Sequence, residues 1–185
     1  MTISKSVKAL TIAAALAVTA PALAATVIVG GQPMFPNKTI VQNAVNSADH
    51  TTLVAAVKAA GLVDTLQGPG PFTVFAPVNS AFAALPAGTV DTLLKPENKP
   101  SLVKVLTYHV VPGTLTYNDL KSRVKKGNGQ ASLKTVSGGM LIVMMNGPNN
   151  LILKDEQGDV ADITTYDVLQ SNGVIHSIDK VLLPR

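Results

Sequence analysis

Three histidines, His50, His109 and His176, are the residues of this chain best suited to moving protons or holding a metal. A catalytic base needs a nucleophile within reach and a ligand needs companions at fixed spacing, so the surrounding residues decide what each can do. No Gly-x-Ser-x-Gly elbow, Walker loop or His-Glu-x-x-His pair occurs, and the Gly68-Pro69-Gly70-Pro71 turn lacks the Lys and Ser/Thr of a phosphate loop. His176 and Asp179 resemble a dyad on paper, but residues three apart in a regular strand point to opposite faces. With Ile175 and Ile178 beside it, His176 reads as a core histidine. His109 falls on the apolar stripe of a helix near its C-terminal end, where an imidazole meets free carbonyls. His50 opens a helix with no second ligand near it in sequence. No catalytic residue, metal site or cofactor is assigned, and the chain is expected not to be an enzyme.

Two other groups of residues could act on a partner. Lys121, Arg123, Lys125 and Lys126 place four cations in six residues ahead of Gly127-Asn128-Gly129. Read as a solvated loop, they serve solubility or contact a polyanion such as an acidic polysaccharide or a membrane surface. Met140, Met144 and Met145 cluster in a strand, which is ordinary core or, since methionine adapts to apolar guests, a ligand wall. The Asn37-Lys38-Thr39 triplet fits a glycosylation acceptor, and no modification is assigned to it.

Helical spacing places a helix over 39–46 and a second after Asp49, its expected N-cap, with Leu53, Val54 and Val57 on one face and Gly61 at its end. Phe72 to Ala76 reads as a strand buried on both faces, stopped by Pro77. Asn79 is the expected cap of a short helix through Phe82 and Leu85, a further turn of helix follows over 89–94, and Pro100 opens a helix over 101–109. From Pro112 onward the texture is β, with runs at 132–136, 140–145, 150–154, 160–164 and 174–183 separated by Gly and Asn turns. Helices first and strands later predict an α+β fold.

Residues 1–24 read as a secretory signal peptide: Lys5 and Lys8, an apolar run over 9–20, then Ala22-Leu23-Ala24 with cleavage expected after Ala24. Residues 25–36 read as an extended N-terminal arm, and 37–185 as one domain. The apolar run is shorter than the roughly 20 residues of a membrane span. The expected location is therefore secreted or periplasmic, with no membrane span. The chain has no cysteine, so its core must hold it without disulfides. The formal charge of +4 falls to about +2 once Lys5 and Lys8 leave, and with no Trp and only 4% aromatics the composition does not support nucleic-acid binding.

Three segments then go beyond pattern. Phe72-Thr73-Val74-Phe75-Ala76-Pro77-Val78-Asn79-Ser80-Ala81-Phe82 resembles the first signature of the fasciclin (FAS1) domain. Leu106-Thr107-Tyr108-His109-Val110-Val111-Pro112-Gly113 is similar to its central Tyr-His segment, and 172–184 to its closing signature. Val78 and Ser80 depart from it, standing where the family often has Thr and an acidic residue. The resemblance implies a β-wedge of short strands flanked by several helices, and a non-catalytic role in cell adhesion or contact with extracellular matrix. The partner would be a cell-surface or matrix protein or a polysaccharide. It also implies Tyr108 and His109 as adhesion-motif residues, and an alternative role as carrier of a small apolar ligand, a lipid or carotenoid.

Overall fold

The computed structural model describes residues 26–185, so the expected signal peptide lies outside the described residues. The arm is not a lone extended segment. The β-branched run Val27–Val29 (β1) pairs antiparallel with Gln32–Met34 (β2), and the turn between them is Gly30-Gly31, with φ of 57° and 72°. Positive φ at both central residues matches the right-handed twist of a two-residue hairpin, and glycine adopts it without penalty.

Helix α1 (Ile40–Ala44) starts from a capping box in which Thr39 and Gln42 satisfy each other's backbone amides. Asp49 is not a cap: it lies within a 3-10 turn, Ala48–His50, that runs directly into α2 (Thr51–Ala60). The cap of α2 comes from a distant segment. Asn79 Oδ1 accepts from Thr52 N at 3.0 Å and Asn79 Nδ2 donates to Ala48 O at 2.8 Å, so Asn79 fastens α2 rather than its own helix. Gly61, in the left-handed conformation, ends α2 as expected. A short α3 (Val63–Gln67) leads to β3 (Phe72–Pro77), then come α4 (Asn79–Ala83), α5 (Thr89–Leu93) and α6 (Lys99–Tyr108), with Pro100 in the first turn of α6.

The region after Pro112 is not purely β. β4 (Val110–Pro112) is followed by a ten-residue helix, α7 (Tyr117–Lys126), which puts the four expected loop cations on a helix. Its buried residues are Leu120 and Val124, one turn apart, and Thr116 and Asp119 form its capping box. The strands β5 (Gln130–Lys134), β6 (Met140–Asn146), β7 (Asn150–Lys154), β8 (Val160–Gln170) and β9 (Gly173–Ile178) complete the fold.

Seven strands form one sheet in the order β4-β3-β9-β8-β7-β6-β5, antiparallel except where β3 runs parallel to β9, one strand in from the β4 edge. That parallel pair is buried on both faces, which explains the uninterrupted apolar run of β3. Val136 N donates to Val110 O at 2.8 Å, drawing the β5 edge toward the β4 edge and narrowing the sheet into a wedge. Alternation along β3 sends Phe75 into one core and Val74 and Ala76 into another. The first core lies between the wedge and α7, and the second under the β1–β2 hairpin, α2 and α6.

Candidate functional site

The three histidines are all buried, and each ties elements distant in sequence. His50 Nδ1 lies 2.9 Å from Ser47 Oγ and Nε2 lies 3.4 Å from Ser177 Oγ. The sequence did not reveal this hydroxyl–imidazole cluster, because Ser177 arrives from β9, 127 residues away. A nucleophile–base pair would need a group to orient the ring, but both ring nitrogens face hydroxyls, and Ser47, His50 and Ser177 are all buried. Burial lowers the His50 pKa from its ordinary value. The cluster joins the start of α2 to β9.

Tyr108 and His109, the residues implied for adhesion, face inward and keep 0% and 3% of their surface. Neither side chain can touch a partner while the domain is folded. Tyr108 Oη donates to Met140 O at 2.7 Å and accepts from Glu156 N at 3.1 Å, holding the β5–β6 turn against the β7–β8 turn. Burial pushes its pKa up to about 12, so the hydroxyl stays a donor. Gly139 gives the ring its room: a Cβ there would stand 2.8 Å from Tyr108 Cε2. His109 Nδ1 lies 2.8 Å from Val105 O, and Nε2 accepts from Leu182 N at 3.0 Å, an arrangement that requires the neutral ring. Burial lowers its pKa to about 4. Asp155 Oδ2 takes the next amide, Leu183 N, at 3.0 Å, so the C-terminal segment is pinned at two successive residues.

His176, beside Phe75 on the β9 side, likewise ties distant segments. Its Nε2 donates to Leu115 O at 2.8 Å, Nδ1 accepts from Asp167 N at 3.3 Å, and the ring stacks on Phe75 with centroids 5.6 Å apart. It makes no dyad with Asp179, whose carboxylate accepts from Asp162 N, in keeping with the strand geometry. Asp167, at φ 54°, turns its carboxylate to Tyr117 N at the start of α7.

What the fold leaves at the surface is the outer face of α7. Lys121 is half-buried and occupied: its ammonium lies over the Tyr117 ring at 5.4 Å and reaches Pro148 O and Asn149 Oδ1, both at 3.4 Å. Arg123, Lys125 and Lys126 are exposed on the last turn, where cations also complement the helix dipole. Asp119, one turn before Arg123, spends its carboxylate on Thr116, whose hydrogen bonds depress its pKa more than Arg123 does.

The second feature is an apolar cavity of about 80 Å³ inside the second core. Val29 and Met34 of the hairpin face it from one side, Leu53 of α2 and Leu106 of α6 from others, and Val74 and Ile175 from the sheet. Lys58, the only formally charged residue of its lining, is itself exposed. The methionine strand does not border it: among the described residues Met145 packs in the first core and Met140 is exposed.

A family model of the fasciclin domain matches residues 48–184. The chain is 50% identical over 147 residues to protein sll1483 of Synechocystis sp., covering 79% of this chain and 73% of that one. It is 36% identical over 132 residues to transforming growth factor-beta-induced protein ig-h3 of Sus scrofa, covering 71% of this chain and 17% of that one. It superposes with a TM-score of 0.69 on a solved FAS1 domain pair from the insect cell adhesion molecule Fasciclin I, at 19% identity, covering 80% of this chain and 51% of that one. At that identity the likeness speaks for the fold alone.

Proposed function

Because the chain belongs to the fasciclin domain family, we propose that it works outside the cytoplasm as a non-catalytic contact domain, gripping an acidic polysaccharide through the outer face of α7. The observation that carries this reading is the exposure of Arg123, Lys125 and Lys126 on one helix turn while the Tyr-His segment is buried. Tyr108 and His109 are consumed by the fold, so contact must use other residues. Export by the signal peptide read at residues 1–24 and the adhesion role named for the insect protein are consistent with it. No helix among the described residues is long and apolar enough to cross a membrane.

The grip is electrostatic and must weaken with salt, since charges more than about 8 Å apart are screened at physiological ionic strength. Heparin, as a model polyanion, should retain the domain, and the triple variant Arg123→Glu, Lys125→Glu, Lys126→Glu should elute at markedly lower salt with an unchanged melting temperature. Equal elution of the two proteins would remove α7 from the reading. A second reading, carriage of a small apolar molecule, rests on the cavity under the hairpin, with its almost wholly apolar lining.

A further inference from the structure

The size of the cavity sets a condition on any guest. A cavity of about 150 Å³ holds one benzene, whereas this one measures about 80 Å³. Anything as large as a single aromatic ring must therefore raise part of the wall. Most of that wall is fixed. Strands β3 and β9 are interior strands of the sheet, flanked by β4 and β8, and α2 and α6 pack on each other as well as on the second core. The exception is the β1–β2 hairpin, two three-residue strands paired only with each other. An isolated two-stranded hairpin is marginally stable by itself.

Its attachments are uneven. At the base, Asn43 accepts from Phe35 N at 3.1 Å and donates to Phe35 O at 2.8 Å, and its amide also bonds the Gln170 side chain. Ser171 N holds Lys38 O at 2.9 Å, and Asn172 Oδ1 holds Ile40 N at 3.0 Å. The base is thus bolted to the turn between β8 and β9. At the tip there is only close packing: a Cβ on Gly30 would stand 2.6 Å from both Ala48 N and Asp49 N.

We infer that the β1–β2 hairpin is the gate of an apolar binding site, hinged at the Phe35–Asn43 contact, and that its guest is an uncharged hydrocarbon-like molecule. The inference rests on the carriage reading. Val29 and Met34 form the underside of the gate, so lifting it exposes the pocket without disturbing the sheet. An uncharged guest follows from the lining, which offers no buried charge to pair with. The roof residues 27–34 precede residues 48–184, the stretch matched by the family model.

Two substitutions loosen the gate by different amounts. Gly30→Ala forces a Cβ into the backbone of the 3-10 turn and loosens the tip strongly, whereas Gly31→Asn, at φ 72° with nothing within 4 Å of a Cβ, strains only its own backbone, and mildly because Asn tolerates the left-handed conformation. The probe is N-phenyl-1-naphthylamine, which brightens in apolar surroundings, mixed with the full-length mature protein in a stopped-flow fluorimeter. Wild type should show saturable brightening whose rate reaches a plateau at high probe concentration, the mark of a gate that must open first. Gly30→Ala should raise that plateau about fivefold or more and Gly31→Asn should raise it about twofold, as expected if opening limits entry. Saturable binding with one plateau rate in all three proteins would overturn the gate while leaving carriage standing. No saturable brightening in any of them would overturn both. If Gly30→Ala fails to fold, the comparison of Gly31→Asn with wild type decides.

Discussion

The two cores share the strands β3, β8 and β9 yet are built to different standards. In the core between the wedge and α7, ten of fifteen buried residues have no exposed surface, among them Phe75, Tyr108, Leu120 and Leu153. In the core under the hairpin, every buried residue retains between 1% and 9% exposure, and the cavity lies among them. Close packing maximises dispersion contacts and leaves little freedom, whereas a gap forfeits contacts along its lining. The histidines and Tyr108 act as fasteners where the elements meet. The difference teaches that the family's signature residues build a rigid frame, and that functional freedom lies at the hairpin and on the outer face of α7.

That contrast can be broken most sharply by truncation. Leu153→Ala, in the close-packed core, should cost about 4 kcal/mol, while Leu106→Ala, beside the cavity, should cost about 2 kcal/mol because it forfeits fewer contacts. Urea unfolding of both variants checks this, and equal costs would erase the distinction.

Acid is the next lever. The folded state holds His109 neutral with a pKa of about 4 against 6.5 in the unfolded chain. Its contribution is complete above pH 6.5. Between pH 6.5 and 4 the unfolded chain binds a proton that the fold refuses, so stability falls with falling pH, by about 3 kcal/mol from this residue, and levels off below. His50 and His176, lowered by the same cause, act in the same direction. Unfolding measured at pH 7 and pH 4.5 should show the loss, and His109→Gln should flatten it.

Adding volume should preserve the ranking of the cores. Val143→Ile overfills the rigid core at a cost of about 2 kcal/mol, whereas Val57→Ile extends toward the cavity and should change stability by less than about 1 kcal/mol. Asn79→Ala, which frees the start of α2, should cost about 1 kcal/mol. Thermal denaturation of these three variants is sufficient.

Much of the frame was legible because its signals are local. The apolar run 72–76, Pro100 and Gly61 each mark an element by their own backbone chemistry. Helix α7 was missed because only Leu120 and Val124 in its ten residues are buried, and charge masked the period; Thr116 and Asp119 carried the one usable signal, a capping box. The hairpin had its Gly30-Gly31 turn in plain view, but three residues on each side are too few to show alternation. Asn79 as the cap of α2 and Ser177 beside His50 are long-range meetings that no spacing encodes. The cavity is composed by six strands and four helices and was legible in none of them.

The most direct test is amide hydrogen exchange of the native protein at pH 7, followed by mass spectrometry. If one core is fixed and the other gated, amides of β1 and β2 exchange through local opening, at least about a hundredfold faster than those of β6, β7 and β9 after correction for intrinsic rates. Protection of the hairpin equal to that of β6 and β7 would contradict the account, because the two cores would then open only together.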